Sequence, residues 1–298
     1  MTVLNIFGRT RVETASGTVT PWSGTKQRQL LEVLAWHHPS PVSKDRLADA
    51  LWEGRPPVTA LRTLESHVCV VRREMVAVGL PRDLLVTEHD AYRLSERLVV
   101  DVDTARRLMG PPRTEDVVAR MTKVLAITSE PLLASSPYAP WARAAADELA
   151  HRLTESCAAA AESALERDRH HEAARLAERA LACTPLSERA CRALLRAHAA
   201  GGDRGRALQV YADFRERIRD ELGVEPGPET AGVYLDVLSR TGSGVATETE
   251  RRLLRRLLQQ STEDLLGPGA RIRAGFLAPH RAEPTRPVRH SRTAHHVA

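Results

Sequence analysis

The sequence of 298 residues is poor in aromatic residues, in lysine and in cysteine. Aromatic residues make up 4% of the chain, and three of its 43 basic residues are lysines. Helices rich in Ala and Leu bury a core without many rings, whereas β-sandwiches and β-barrels draw on aromatic and β-branched residues. The composition therefore predicts a mainly α fold with a small β component.

Long apolar runs and metal-binding cysteine patterns are also absent. No stretch approaches about 18 uninterrupted apolar residues, and the N-terminus has no basic segment followed by an apolar one. The four cysteines show no CxxC pair and no Cys/His spacing that is typical of zinc sites. We therefore expect a cytoplasmic protein with no membrane partner, no metal and no cofactor.

Two short motifs resemble catalytic signatures, but each lacks a required feature. His171-Glu172 does not begin a metalloprotease HExxH motif, because Arg175 stands where the second histidine is needed. The order Gly24-Thr25-Lys26 does not fit the phosphate-binding loop of nucleotide hydrolases, in which Lys precedes Ser or Thr. We expect a protein without enzymatic activity.

Charge and helix breakers divide the chain into three predicted regions. Residues 1–97 carry a net charge of +2, residues 98–240 carry −2, and residues 241–298 carry +5. The middle region reads as nearly all helical. In the last region, residues 247–260 predict an amphipathic basic helix that could dock on the body, pair with a second copy, or lie against DNA or anionic lipid. Beyond Gly267 the composition predicts disorder.

Residues 1–97 predict a small sheet, three helices and a final hairpin. The predicted strands of the sheet are Val3–Phe7, a run through Val12, and Thr18–Trp22. The predicted helix caps are Thr25, Ser43 and Thr59. The predicted hairpin strands are Leu84–Thr87 and Ala91–Leu94, with His89-Asp90 at the tip. This order is that of a winged helix-turn-helix domain.

The third helix, predicted from Ala60 to about Val78, has one apolar and one polar face. The apolar stripe consists of Leu61, Leu64, Val68, Val71, Met75 and Val78. The opposite face consists of Arg62, Ser66, Cys69 and Arg73, with Thr63 and Val70 at its margin. Arg pairs with guanine edges in a major groove, and small side chains fit beside other bases. This face predicts base reading, although two arginines on an exposed helix can also be a solvated face.

The start of the first helix offers candidate contacts to DNA phosphates. Thr25, Lys26 and Arg28 lie at a helix N-terminus, where unpaired N–H groups attract anions. The alternative for Arg28 is an ion pair with Glu32, four residues further on.

The middle region contains a weak internal repeat. Ala173, Ala177 and Ala180 recur 34 residues later as Ala207, Tyr211 and Phe214. This period is that of a tetratricopeptide helical pair, so the sequence predicts an all-α, tetratricopeptide-like domain after the winged helix.

Six segments follow, in order, the pattern of the Streptomyces antibiotic regulatory proteins. They are KQRQLLEVLAW (26–36), VSKDRLADALW (42–52), TLESHVCVVRREM (63–75), DAYRLS (90–95), VDVDTARRL (100–108) and ELGVEPGPE (221–229). The chain resembles this family over about residues 3–240. The resemblance implies an OmpR-type winged-helix DNA-binding domain fused to a helical bacterial transcriptional activation domain.

The resemblance also implies partners and a role. These are double-stranded DNA with direct repeats near a promoter, RNA polymerase holoenzyme, and a second copy of the chain on DNA. The implied role is activation of a secondary-metabolite gene cluster at the nucleoid. By the same resemblance, Glu53 and Arg55, in the loop before the third helix, become candidate contacts to the polymerase.

Three positions depart from the family pattern. The family commonly has arginine at Val70, a basic residue at Glu88 and glycine at Ala91. The hairpin is therefore less basic than the family implies. We expect either a weaker affinity for DNA or a shift of DNA contacts onto Arg72, Arg73 and Arg93.

Two other functions fit the same residues. In one, the helical repeats bind a peptide and the chain is a protein-interaction scaffold. In the other, the chain is a repressor that uses the same DNA surface.

Overall fold

Seven strands form two small sheets at the N-terminal end of the chain. The computed structural model describes residues 2–239, except for residues 16, 21, 23 and 111–115. The strands are β1 (Val3–Asn5), β2 (Arg11–Thr14), β3 (Gly17–Val19), β4 (Val42–Ser43), β5 (Leu85–Glu88), β6 (Ala91–Leu94) and β7 (Val99–Val100). The first sheet has the order β3-β2-β1-β7, with β7 parallel to β1, and the second has the order β4-β6-β5.

Helices make up most of the described chain. They are α1 (Thr25–His37), α2 (Lys44–Trp52), α3 (Ala60–Ala77), α4 (Asp101–Met109), α5 (Val117–Ile127), α6 (Pro140–Leu165), α7 (His170–Cys183), α8 (Glu188–Ala200), α9 (Arg204–Leu222) and α10 (Pro228–Ser239). The amphipathic helix predicted at residues 247–260 lies outside the described residues.

The predicted winged helix consists of the first sheet, helices α1 to α3 and the β5–β6 hairpin. Leu64, Val68, Val71 and Met75 of α3 are buried, as the stripe predicts. Leu61 is 45% exposed, so its place in the stripe was wrong. It lies in the first turn of α3, about 60° from the centre of the stripe, where no neighbouring helix covers it.

One of the three predicted helix caps is present. The Ser43 side chain accepts a hydrogen bond from the Arg46 N–H at the start of α2. Thr25 lies inside α1, whose N-cap residue is Gly24, and Thr59 makes no side-chain cap bond. The Thr25 prediction was wrong, because a preferred residue type does not by itself fix where the first helical turn begins. Thr59 lies at the predicted N-cap position of α3, but without a side-chain cap bond.

Helices α6 to α9 pack as two successive antiparallel-type pairs. Helix α6 packs against α7, α7 against α8, and α8 against α9 and α10. The residues that predicted the repeat lie in α7 and α9, which hold equivalent places in the two pairs. Ala177 and Phe214 are buried, whereas Tyr211 is half-buried and its ring stacks on that of Tyr234. The mainly α fold with a tetratricopeptide-like part is confirmed.

One hydrophobic core continues from the winged helix into α4 and the first half of α6, while the rest of the helical region packs in two further clusters. The cluster that contains Leu31 of α1 and Leu64 of α3 continues through Val102 of α4 and Ala142 and Leu149 of α6. Residues 1–240 accordingly form one compact unit. The two regions therefore meet through packed side chains on both sides of residue 97.

A buried carboxylate strengthens this junction. Glu32 of α1 is fully buried and accepts hydrogen bonds from Thr10 Oγ1 and, at 2.6 Å, from Ser136 Oγ. Arg28 faces Glu32 at 3.6 Å and donates to the Ser135 carbonyl at 2.9 Å. We call Thr10, Arg28, Glu32, Ser135 and Ser136 the junction cluster. Burial raises the pKa of Glu32, while its two hydroxyl donors and Arg28 oppose that rise.

A second buried carboxylate ties the first sheet to α4. Asp101 accepts hydrogen bonds from the N–H groups of Ile6 at 2.9 Å, Phe7 at 3.0 Å and Val102 at 2.7 Å. Burial nevertheless raises the pKa of Asp101 from 3.8 to about 6, because desolvation of the charged form outweighs these three donors.

Replacement of Glu32 by Ala is expected to lower the free energy of unfolding by about 3–5 kcal/mol, because Arg28 and two hydroxyls lose their buried partner. Denaturant unfolding followed by circular dichroism measures this change. The control is Glu216→Ala, at an exposed position of α9. Equal and small losses in both variants would show that the junction cluster does not stabilise the fold.

Asp101 predicts a pH dependence of stability. Its pKa is higher in the folded chain, so its contribution is present below about pH 4 and is lost as the pH rises through about 6. The unfolding free energy of the native chain minus that of Asp101→Asn should fall by about 2 kcal/mol between about pH 4 and about pH 7. Denaturant titrations of both proteins measure this difference. A constant difference would contradict the raised pKa.

Candidate DNA interface

Helix α3 presents the predicted polar face to solvent. Arg62, Ser66, Cys69 and Arg73 are all exposed, and we call these four residues the reading face. Their backbone sits on a helix whose other side is fixed by the buried stripe, so the face cannot rotate inward without exposing the core. Within the described chain, neither the Arg62 nor the Arg73 guanidinium has a hydrogen-bond or ion-pair partner.

The hydroxyl groups near the reading face bond to their own helix. Ser66 Oγ donates to the Arg62 carbonyl at 3.1 Å, and Thr63 Oγ1 donates to the Thr59 carbonyl at 3.0 Å. Each of these carbonyls also accepts a backbone hydrogen bond of the helix, so its bond to the hydroxyl is weak. Both hydroxyls can therefore exchange this bond for one to a ligand. Thr63 and Val70 are half-buried, which agrees with their predicted place at the margin.

Arg72 has a different role from its neighbour Arg73. Its Nη2 donates to the Leu85 carbonyl and to Thr87 Oγ1, both at 2.7 Å, and its Nε also reaches Leu85 at 3.1 Å. These bonds attach the hairpin to α3. In the unbound chain Arg72 therefore positions the hairpin, and its contact to DNA stays a prediction.

The hairpin contains little free positive charge. Arg93 forms an ion pair with Glu88, which occupies the position where the family commonly has a basic residue. At the tip, the Asp90 carbonyl accepts a hydrogen bond from the Lys44 N–H at 2.9 Å. Since Glu88 neutralises Arg93, a contact from Arg93 to phosphate would first require this pair to open.

The three residues at the start of α1 that were predicted to contact phosphates differ in how free their side chains are to do so. Arg28 belongs to the junction cluster and pairs with Glu32. The structure thus contains the ion pair that the sequence offered as the alternative to a phosphate contact. Lys26 Nζ donates to the Leu51 carbonyl near the end of α2. Thr25 occupies the first turn of α1. A phosphate contact in this region therefore rests on Thr25 and on release of Lys26 from Leu51.

The loop between α2 and α3 extends into solvent. Glu53 and Gly54 both have positive φ values, 55° and 75°, which turn the chain out of α2. Every residue from 53 to 59 is exposed, and Val58 is fully exposed although it is apolar. The loop thus presents Glu53, Arg55 and an uncovered apolar side chain next to the reading helix.

Three further features of the described residues concern metal ligands, thiols and membrane-spanning helices. No group of three or more His, Cys, Asp or Glu side chains in the described part of the chain could hold a metal ion. Burial raises the pKa of Cys157 and Cys191 to about 12, so these thiols are almost entirely protonated at neutral pH. Among the described helices, none combines the length and apolar character that crossing a bilayer requires.

Two family models match consecutive parts of the chain. Residues 22–94 match the model described as "Transcriptional regulatory protein, C terminal", and residues 95–238 match "Bacterial transcriptional activator domain". The boundary between them falls three residues before the predicted one. Together the matched residues include all of α1 to α9 and the reading face.

Curated relatives carry the names of transcriptional regulators. The regulatory protein AfsR of Streptomyces griseus is 31% identical over 243 residues, which are 76% of this chain and 24% of AfsR. This chain thus spans about a quarter of AfsR. The regulator RedD of Streptomyces coelicolor is 26% identical over 80% of this chain and 70% of RedD. MoaR1 of Mycobacterium tuberculosis is 25% identical over 74% and 75% of the two chains.

One solved structure shares the fold. EmbR of Mycobacterium tuberculosis, solved in complex with a low-affinity phosphopeptide, superposes with a TM-score of 0.68 and 20% sequence identity. The match covers 88% of this chain and 70% of that one. With the order of the six segments and the winged-helix geometry, these matches show that the chain belongs to the Streptomyces antibiotic regulatory protein family of transcriptional regulators.

Proposed function

We propose that the chain activates transcription by binding double-stranded DNA, with the reading face of α3 in the major groove. The observation that carries this proposal is that Arg62 and Arg73 are exposed, unpartnered in the described chain, and fixed opposite a buried stripe. Each Arg that pairs with a guanine contributes about 1–3 kcal/mol of discrimination between bases. Cys69 and Val70 are small and apolar enough to lie beside a thymine methyl group.

Contacts to the DNA backbone orient the protein. Thr25 and Lys26 at the start of α1 and Arg93 on the hairpin are the proposed phosphate contacts, with Thr63 at the margin of α3. Because Arg93 is paired with Glu88, the hairpin adds little attraction. Affinity for DNA therefore depends on α3 more than on the hairpin.

The junction determines how the activator meets its partner. The shared core and the junction cluster hold the helical region in a fixed orientation relative to the reading face. Two copies bound to direct repeats would consequently present their helical regions at a regular spacing, which favours a homodimer on DNA. The exposed loop with Glu53, Arg55 and Val58 is the proposed contact to RNA polymerase holoenzyme.

The target follows from the family resemblance alone. We infer that the chain acts at the nucleoid in the cytoplasm, on a promoter of a secondary-metabolite gene cluster that carries direct repeats.

Arg62→Ala and Arg73→Ala should each weaken binding to the preferred site by about 10-fold or more, because a bidentate base contact is lost. Selection from a random duplex library identifies the site, and gel-shift titrations measure the affinity. The melting temperature should stay unchanged, since neither guanidinium supports the fold.

The adjacent Arg72→Ala variant is the matched control. It should lower stability by about 1–3 kcal/mol, because the Leu85 carbonyl loses its charged donor. If Arg73→Ala lowers stability as much as Arg72→Ala, Arg73 is structural and the reading face is wrong. If no duplex is bound even at low salt, the scaffold function is favoured instead.

The loop variant Glu53→Ala/Arg55→Ala should abolish activation while it retains affinity for DNA, because both residues are exposed and neither belongs to the reading face or to the buried stripe. In vitro transcription with RNA polymerase holoenzyme on the selected site measures activation, and the gel shift controls for binding. Unchanged activation would reject the loop as the polymerase contact. A decrease in transcription by the native chain would identify a repressor.

A further inference from the structure

Two carboxylates of the winged helix each hold a basic side chain. Glu65 of α3 accepts a hydrogen bond from Lys44 Nζ at 2.9 Å. Glu88, on β5 of the hairpin, forms an ion pair with Arg93 on β6. The side chains of Glu65 and Glu88 are 54% and 40% exposed, so neither pair is sealed inside the protein. Two positive charges of the winged helix are thus balanced at its surface.

Lys44 lies between the reading helix and the tip of the hairpin. It is the first residue of α2, and its backbone N–H donates to the Asp90 carbonyl at 2.9 Å. Its ammonium group lies 5.9 Å from the centre of the Tyr92 ring. Glu65 lies about 70° around α3 from the centre of the reading face, on the same flank as Arg72, which holds the hairpin. The Lys44–Glu65 pair therefore occupies the side of α3 that faces the hairpin.

A major groove that receives α3 brings phosphates close to this side. The groove is about 12 Å wide, and a helix with its side chains is about 10–12 Å across. The phosphates of the two strands therefore line both flanks of the helix. In the proposed complex, the Lys44 ammonium and the Glu65 carboxylate lie on one of these flanks, and the hairpin next to them carries Arg93 and Glu88.

The two ion pairs affect DNA binding more than they affect the fold. Exposed ion pairs contribute little to stability, so the loss of either carboxylate should leave the fold intact. A basic side chain that reaches a phosphate releases a counterion, and each such contact makes the dependence of affinity on salt steeper by about 0.9 in the logarithmic slope. A carboxylate that holds the basic side chain prevents this contribution.

We propose that Glu65 and Glu88 limit the affinity of the chain for DNA of any sequence, because they hold Lys44 and Arg93 away from phosphates. This inference rests on the proposed function. Since the attraction to the DNA backbone is kept small, formation of a complex depends on the base contacts of the reading face. Glu88 is the part of this device in which the chain departs from its family, which commonly has a basic residue at that position.

Glu65→Gln and Glu88→Gln test the proposal in the full chain. At about 0.1 M salt, each variant should bind a duplex that lacks the selected site about 5–10-fold more tightly than the native chain does, with a salt slope steeper by about 0.9. Gel-shift titrations at several salt concentrations measure both quantities. Native affinity and native slope in both variants would overturn the proposal.

Glu178→Gln is the matched control, because it also removes one carboxylate from an ion pair. Glu178 pairs with Arg206 at 3.1 Å in the helical region, between α7 and α9. Its charge lies outside the winged helix, and charges further away than about 10 Å are screened at this salt concentration. The control should bind the duplex as the native chain does. A gain in affinity equal to that of the other two variants would show a general effect of net charge and would overturn the proposal.

A double-mutant cycle shows whether each carboxylate acts through its basic partner. In an Arg93→Gln background, Glu88→Gln should no longer raise the affinity, and Lys44→Gln should likewise remove the effect of Glu65→Gln. An undiminished gain in these backgrounds would overturn the proposal, and melting temperatures confirm that every variant is folded. If neither the native chain nor any variant binds a duplex at low salt, the proposed function itself fails. Unchanged slopes in a chain that does bind its selected site overturn this inference alone.

Discussion

The burial of one carboxylate, that of Glu32, is the constraint on which the arrangement of the two regions depends. A charge in the core must be paired and hydrogen-bonded, because an isolated one is strongly disfavoured. Here the partners come from three places in the chain: the loop before β2, helix α1 itself and the segment before α6. The bond from Ser136 forms only when the segment before α6 is docked against the winged helix, so full satisfaction of Glu32 depends on that docking.

The arginines of the N-terminal region differ in whether they have a partner within the protein. Arg28 and Arg72 both have carbonyl partners, and each connects an element of the winged helix to another part of the molecule. Arg93 is neutralised by a neighbouring carboxylate. Arg62 and Arg73 remain free within the described chain because they project from the one face of α3 that no other element covers. A helix held by a buried stripe on one side and by Arg72 on its flank presents these two side chains with little freedom to reorient.

Periodic features could be predicted from the sequence, whereas pairings between distant residues could not. The stripe of α3, the Ser43 cap and the alanine positions of α7 are local patterns, and the structure contains them. Leu61 fits the same spacing but lies beyond the last neighbouring helix, which spacing alone does not reveal. The carbonyl partners of Arg28 and Arg72 are 107 and 13 residues away in the chain, and no periodicity connects these pairs. The sequence offered two signals for the junction cluster: the spacing of Arg28 and Glu32, and the position of Glu32 as a single acidic residue within the apolar run LLEVLAW.

The electrostatics of the winged helix follow from these pairings more than from composition. Residues 1–97 have 13 basic and 11 acidic residues, which is a small excess for a domain that meets a polyanion. Arg28, Arg72 and Arg93 are all engaged within the protein, which reduces the positive charge available to release counterions from DNA in the proposed complex. In the proposed function, discrimination between sequences comes from the two free arginines of α3, and placing two such faces side by side would add affinity. A rigid junction supports that arrangement, because a second copy adds affinity only when its reading face is held at the spacing of the next repeat.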